Sequence, residues 1–516
     1  MKHQIFVVLL LILGTFIGSA LSQNTTCVVY ISLNYPVNDN ITYCGSNMQT
    51  NPCQSFNSAL QACIDQNITS DMTFNFDIGT FLFENQVVSL YNQRISLNGH
   101  LSGNTVLDMG SMTVDSVFVV QEPNSTVATK NDITHINLNW VVVQNMSWTS
   151  PNVNQQSFIT VNSNISTVQI NSDNCVFDRM YFGSSTTVGS RGSIFNLNSV
   201  GQLVYLNVFS SQFTQLEGGG SVVVDGYSIT SIFNSCTFNQ ITSTTSIIYN
   251  ENSQNSLISC DFSECRNAMI LGVSDSPSST QIIKNCTFTQ NGFQKDGSTT
   301  AVIYTVATAV SVQDSLFSEN NQMPSISIMK SLNGSTVENC QFYGASIGSY
   351  VITTQYSTTL SIQNSTFARN QLSSSILYTY FSDLNITSLS FSSNSGLILT
   401  VTNSNVTSNN LVVDNNNNFD LLACSQSTIA FTGDNQIQID TTSLQCTNCT
   451  ITSTNDDFSC SQPATTFPPT KTSKGLSSGL IAFIVIISVV GLAGLIVVSY
   501  HTITHFIHKS RGYSVL

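Results

Sequence analysis

The sequence predicts an all-β solenoid ectodomain followed by one C-terminal transmembrane helix. Three observations predict it: a phenylalanine that recurs at a near-constant interval, a small side chain two residues before it, and one long uncharged apolar stretch near the end. A fixed period in this range marks a chain built from stacked units, none of which can bury its apolar face alone.

The chain opens with an export signal, residues 1–22. Lys2 and His3 precede an apolar run from Ile5 to Ile17, and Ala20-Leu21-Ser22 supplies small residues for cleavage. The mature chain is expected to start near Gln23. Residues 23–89 form an N-terminal cysteine-containing cap and the first strands. NPCQSFNSALQACI, at 51–64, reads as a short amphipathic helix. Phe56, Ala59, Leu60 and Cys63 share one face, with Ser55 or Asn51 as the cap. The strands FNFDIGTFLF and RISLNGHLSGNTVLDM follow, separated by glycine turns. Cys27, Cys44, Cys53 and Cys63 fall in this module, enough for two local disulfides whose pairing the sequence leaves open.

Residues 90–420 carry the repeats. The recurring phenylalanines are Phe177, Phe213, Phe238, Phe262, Phe288, Phe317, Phe342, Phe367 and Phe391. From Phe213 onward the steps are 25, 24, 26, 29, 25, 25 and 24 residues; the first step, 36, is a longer turn or a missed rung. Two residues earlier stand Cys175, Ser211, Cys236, Cys260, Cys286, Ser315, Cys340 and Ser365, with Leu389 the exception. Alternation at period 2 reads as a strand with the small residue and the phenylalanine on one face. Three residues beyond, Asn291, Asn320, Asn370 and Asn394 are expected in turns, where asparagine tolerates left-handed backbone. A second apolar strand completes each unit, as in TSIIYN, AVIYTV and SILYTY. Units this short suit a coil of two or three strands. At about 4.8 Å per parallel strand, residues 90–420 give about 13 turns and roughly 60 Å of rod. Cys236, Cys260 and Cys286 then stand on successive turns, within disulfide reach of one another or as buried thiols.

Residues 421–460 form a C-terminal cap with Cys424, Cys446, Cys449 and Cys460. The CxxC at 446–449 lacks a thioredoxin-like helix start and reads as structural. Residues 461–478 are a Ser/Thr/Pro stalk that resists packing. Residues 479–500, GLIAFIVIISVVGLAGLIVVSY, carry no charge and are long enough for about 30 Å of membrane-crossing helix. Residues 501–516 are left as a cytoplasmic tail. Its Tyr513-Ser514-Val515-Leu516 resembles a tyrosine-based sorting signal, so Tyr513 and Leu516 are the candidate contacts for a cytosolic sorting adaptor.

Composition agrees with export. All 14 cysteines lie between Cys27 and Cys460. The same span holds twelve glycosylation sequons: Asn24, Asn40, Asn67, Asn124, Asn145, Asn164, Asn285, Asn333, Asn364, Asn385, Asn405 and Asn448. Only 8% of residues are charged and the net charge is −14, which excludes a basic nucleic-acid footprint. With 41% hydrophobic residues and 30 phenylalanines, the chain can bury a large core.

CTFTQN at 286–291 and GGGSVVV at 218–224 carry a resemblance. The pattern resembles the right-handed parallel β-helix of the pectin-lyase-like superfamily, and the units are similar to polymorphic outer-membrane-protein repeats. The resemblance covers about residues 50–450 and implies an all-β, right-handed parallel β-helix. It also brings in polysaccharide lyases and hydrolases, which gather acids for calcium or for paired-carboxylate chemistry. Here Asp225, Asp261 and Asp314 are isolated, Asp456-Asp457 lies past the repeats, and Arg179, Arg191, Arg266 and Arg369 are scattered. Arg266 with Asp261 and Glu264 is the best charged group. His100 and His135 stand apart from any cysteine pair. No catalytic set, cofactor or metal is therefore expected.

The expectation is a plasma-membrane, single-pass type I glycoprotein with an extracellular N-terminus and endosomal cycling through its tail. Its rod would serve adhesion or recognition of glycans or surface proteins, with Trp140, Trp148 and Tyr181 as stacking aromatics. A structural surface coat is the alternative, and a polysaccharide lyase or hydrolase the third reading.

Overall fold

A computed structural model describes residues 26–35, 44–46, 49–83, 86–122, 132–148, 156–183, 192–201, 203–266, 269–292, 301–346, 350–414, 419–437 and 444–454. The signal, the stalk, the apolar stretch 479–500, the tail with Tyr513 and Leu516, and Asn24, Asn40 and Asn124 lie outside these residues. No described helix is long and apolar enough to cross a membrane.

Three parallel sheets of 16, 17 and 14 strands wrap one apolar interior. We call them sheets 1, 2 and 3, in the order the chain visits them within a turn. One turn runs from Ala309–Gln313 in sheet 1 to Leu316–Ser318 in sheet 2 and Ile326–Met329 in sheet 3. It then returns to sheet 1 at Ser335–Glu338, parallel to its start. The strands are short because each side of the coil is only a few residues wide.

The phenylalanines are the spine of sheet 2. Each pairs in register with the next, from Phe177 to Phe391. Their rings stack nearly parallel, with centroids from 4.3 Å (Phe238 to Phe262) to 5.1 Å (Phe177 to Phe213). Direct pairing of Phe177 with Phe213 shows that the 36-residue step is one longer turn. Each such pair contributes about 0.5–1.5 kcal/mol beyond the area it buries.

Many corners share one arrangement. A residue in left-handed backbone is followed by a buried polar side chain that bonds to the neighbouring turn, while at others the buried residue is apolar, as Val141 after Trp140 and Ile241 after Gln240. This corrects the expectation for Asn291, Asn320, Asn370 and Asn394. The left-handed residue is the one before each, namely Gln290, Glu319, Arg369 and Ser393. The asparagines themselves are buried. Asn320 accepts the Asn291 backbone N–H (3.0 Å) and donates to the Phe288 carbonyl (2.9 Å). Asn394 does the same for Asn370 (3.0 Å) and Phe367 (2.9 Å). A buried amide is tolerable only when its donors and acceptors are satisfied, and here the amides satisfy backbone groups that the corner strips from the ladder.

Between sheets 3 and 1 the same task falls to hydroxyls. The Ser331, Ser357, Ser382 and Ser404 N–H groups donate to the hydroxyls of Ser357 (3.2 Å), Ser382 (2.9 Å), Ser404 (3.1 Å) and Ser427 (3.1 Å). Between sheets 1 and 2 the small residues before the phenylalanines take the position. Cys175, Cys236, Cys260, Cys286 and Cys340 are buried free thiols there, and Cys265 is another at the next corner. Burial pushes the Cys340 thiol up to about 11 and that of Cys265 to about 12, so both stay protonated and unreactive.

The helix Phe56–Asp65 covers the N-terminal end, capped by Ser55 with a reciprocal bond from Ser58. Disulfide Cys27–Cys63 ties it to the first strand, Cys27–Ile31, and Cys44–Cys53 links two positions in the segment between strand and helix. At the other end Cys424 pairs with Cys449, so the CxxC does not close on itself, and Cys446 is also disulfide-bonded.

Candidate functional site

The charged residues do not assemble. Asp314 accepts from Asn339 of the next turn (3.1 Å), and Glu264 accepts from Gln240 of the previous one (3.2 Å). Asp261 is exposed at the start of a three-residue strand, and partial burial raises its carboxyl. Arg266 sits in isolated backbone bridges to Thr242 and Gly292. Arg179 pairs with its neighbour Asp178 (2.8 Å) and donates to Gln144 (2.5 Å). Arg369 lies over the Tyr343 ring, 5.3 Å from its centroid. Arg191 and Asp456-Asp457 lie outside the described residues. No group of three or more His, Cys, Asp or Glu side chains gathers for a metal among the described residues. Asp314, Glu264, Arg179 and Arg369 act as rungs between turns, each on its own.

The aromatics do assemble, at a place the sequence reading passed over. Trp140 is half-buried at a left-handed corner between sheets 1 and 2, and Tyr181 is 41% exposed on sheet 2. The Trp148 side chain is outside the description. The cluster instead joins Tyr350, Tyr356, Tyr378, Tyr380 and Phe381, on sheet 3 and its corner with sheet 1. Tyr350 stacks on Tyr378 (4.6 Å), and Tyr356 stacks on Phe381 (5.6 Å, 7° between planes). Tyr380 stands edge-on to both Tyr356 (5.1 Å) and Phe381 (4.7 Å). Tyr356 is 50% exposed and Phe381 48%. Burial raises the Tyr378 phenol, and a hydrogen bond with Tyr356 raises that of Tyr380. Both phenols therefore stay protonated across the physiological range.

Tyr356 and Phe381 occupy the left-handed corner position, with φ of 53° and 47°. In other turns that corner is held by Ser228, Asn252, Asp275, Ala307, Lys330, Asn403 or Gln426. Bulky residues are rare in this region, and each costs about 1–3 kcal/mol. Two adjacent turns carry that cost, and the result is a stacked pair of exposed rings. The signal was present in the sequence: Tyr356 and Phe381 are 25 residues apart, one repeat. It was hidden because only the left-handed corner turns these positions outward.

The described sequons lie outside the strands of sheet 3, although Asn333 stands at the same corner as Tyr356, one turn before it. Asn385 and Asn405 point outward from sheet 1. Asn285 and Asn364 are exposed at its corner with sheet 2, and Asn164, Asn333 and Asn448 at its connection from sheet 3. Asn67 is exposed after the cap helix. Asn145 is half-buried and donates to Asp108 (2.8 Å). Among the described residues, no sequon lies in a strand of sheet 3.

The coil defines a class: a right-handed parallel β-helix. Residues 272–437 match the family described as "Right handed beta helix region". No curated protein matches the chain. Among solved structures, the chain is similar to the A-module of the Azotobacter vinelandii mannuronan C-5 epimerase AlgE4. Identity is 11%, coverage 75% of this chain and 96% of that one, and the TM-score 0.33. It is similar to a lacto-N-biosidase from Eubacterium ramulus (9% identity, 83% and 68% coverage, TM-score 0.30). It is also similar to a PL6 alginate lyase in complex with a trisaccharide (10% identity, 83% and 89% coverage, TM-score 0.32).

Proposed function

We propose that this chain is a single-pass, type I cell-surface glycoprotein whose β-helix is a non-catalytic recognition rod for carbohydrate. The observation that carries the reading is the Tyr356/Phe381 platform. Two bulky rings held in left-handed backbone, exposed and stacked with near-parallel planes, offer aromatic surface to the apolar face of a sugar ring. The neighbouring phenols of Tyr378 and Tyr380 offer hydroxyls to its rim. The export signal, the sequons and the apolar stretch 479–500 support display of the rod outside the cell. Tyr513 and Leu516 support retrieval through a cytosolic adaptor.

The test is binding of the full-length chain, displayed on cells, to an array of glycans, alongside an assay for depolymerised product. Saturable binding that is lost in Tyr356→Ala and Phe381→Ala, with the polymer left intact, is the expected result. Cleavage of a polymer by the wild type would overturn the non-catalytic reading. Binding unaffected by both substitutions would overturn the site. Surface labelling is expected to show slower internalisation of Tyr513→Ala; an unchanged rate would remove the adaptor from the proposal.

A further inference from the structure

We propose that the outer face of sheet 3, from Tyr249 to Tyr380, is a linear track for an extended, uncharged polysaccharide lying along the solenoid axis. This rests on the recognition reading above and deepens it: the ligand is a neutral polymer held across many turns, not a terminal sugar held at one corner.

The first support is register. One outward column of sheet 3 runs Tyr249, Gly272, Tyr304, Ser327, Thr353, Tyr378 on six successive turns. Half-buried tyrosines are interspersed with small residues that are themselves covered, Ser327 and Thr353 among them, so the rings form the exposed part of the column. At about 4.8 Å per turn, Tyr249 and Tyr304 are about 10 Å apart, and Tyr304 and Tyr378 about 14 Å. The rings recline along the rod. The Tyr249 hydroxyl lies 3.1 Å from Ser274, and that of Tyr304 donates to Met329 at 3.2 Å, each on the following turn. A side chain on Gly272 would meet the Tyr249 ring at 3.2 Å, so glycine leaves room for that ring to lie across it. A reclined ring presents its face outward, the geometry that stacking on a sugar requires.

The second support is charge. The strand of Tyr249, Ser246–Glu251, ends on the acidic Glu251, and the six strands of sheet 3 that follow contain no Asp, Glu, Lys or Arg: Met269–Ser274, Ile303–Val306, Ile326–Met329, Tyr350–Gln355, Gln371–Tyr380 and Ser395–Thr402. An anionic polymer would find no cation in these strands, and the chain's net charge of −14 opposes its approach. A neutral polymer pays neither penalty.

The third support is the placement of sequons. Among the described residues they stand on sheet 1, its corners, the cap and, at Asn145, sheet 2. Among the described residues the strands of sheet 3 carry no sequon, and Asn333 lies beside them at the corner with sheet 1.

The experiment uses the full-length chain on cells and a size series of linear neutral oligosaccharides, from disaccharide to octasaccharide, with a matched uronate series. Affinity for the neutral series is expected to rise with length, by roughly three- to tenfold for each ring engaged. Tyr304→Ala should flatten that rise while leaving disaccharide binding at the corner intact. Met329→Asn, which completes an acceptor sequon with Lys330 and Ser331, should place a glycan on the track and block long chains selectively. Surface expression and conformational recognition of both variants confirm folding. Length-independent binding would overturn the track and keep the corner site. Preference for uronates would overturn the neutral ligand. Absence of binding to any glycan would defeat the recognition reading itself.

Discussion

The outward side of sheet 1 near the N-terminal end is an amide surface. Asn98 donates to Asn75 (3.0 Å) and Asn139 to Asn98 (2.8 Å). In a second column Asn207 donates to Asn171 (3.0 Å) and Asn171 to Asn137 (2.9 Å). Across the core, the outward side of sheet 3 carries tyrosines over glycine, serine and threonine. Both faces hang on the same parallel backbone and the same interior. The difference teaches that a solenoid uncouples its two surfaces: the inward positions set stability, and each outward column is free to take its own chemistry. On sheet 1 the amides satisfy one another and leave little for a ligand. On sheet 3 the rings satisfy only part of their surface.

The comparison breaks most severely if the shared interior fails. Phe288→Ala removes a ring stacked on Phe262 (5.1 Å) and Phe317 (4.7 Å) and should destabilise by about 3–5 kcal/mol. Denaturant unfolding of Phe288→Ala against outward Tyr304→Ala should separate the two, because surface substitutions stay near 0.5 kcal/mol. Equal losses would mean that sheet 3's rings are structural. Next in size is the corner ladder. Asn320→Ala strands the Asn291 N–H and the Phe288 carbonyl in the core and should cost about 1–3 kcal/mol by the same measurement.

A sharper comparison comes from Tyr356→Gly and Phe381→Asn, neither of which completes an acceptor sequon. Glycine and asparagine suit left-handed backbone, so each should raise stability by about 1 kcal/mol while abolishing glycan binding. On sheet 1, Asn137→Ala should change neither. A destabilised Phe381→Asn would show that the aromatic corner serves packing. The smallest effect is expected at Glu122. Burial would raise its carboxyl, but backbone N–H groups of Ser166 (2.6 Å) and Ile165 (2.7 Å) and the hydroxyls of Ser166 and Ser163 outweigh burial and lower it. A lowered folded pKa gives stability that is present above the unfolded value and lost as pH falls through the folded one. Wild type should therefore lose stability on acidification below about pH 4.5 more steeply than Glu122→Gln. Parallel acid profiles would remove Glu122 from the corner's stability.

Much of the fold was legible because a strand has period 2 and a turn has a near-fixed length. Phe213, Phe238 and Phe262 announce both at once, and the buried residues before them follow. Ser55 as a helix cap was legible for the same local reason. The serine ladder was not, because serine is common throughout this chain and its hydroxyls matter only where turns meet. Nor were the left-handed corners, since Lys330, Gln426, Ala307 and Tyr356 all occupy them and share no composition.

The sequence by itself therefore determined the repeat, the stacked phenylalanine interior and the two cysteine-bearing ends, because each is written in local spacing. The tertiary structure decided which residues face out together. Tyr350, Tyr356, Tyr378, Tyr380 and Phe381 come from two turns, and their meeting depends on register and on two strained corners. Register between turns is set by hydrogen bonds between residues about one repeat apart, and the spacing of any single strand does not encode it.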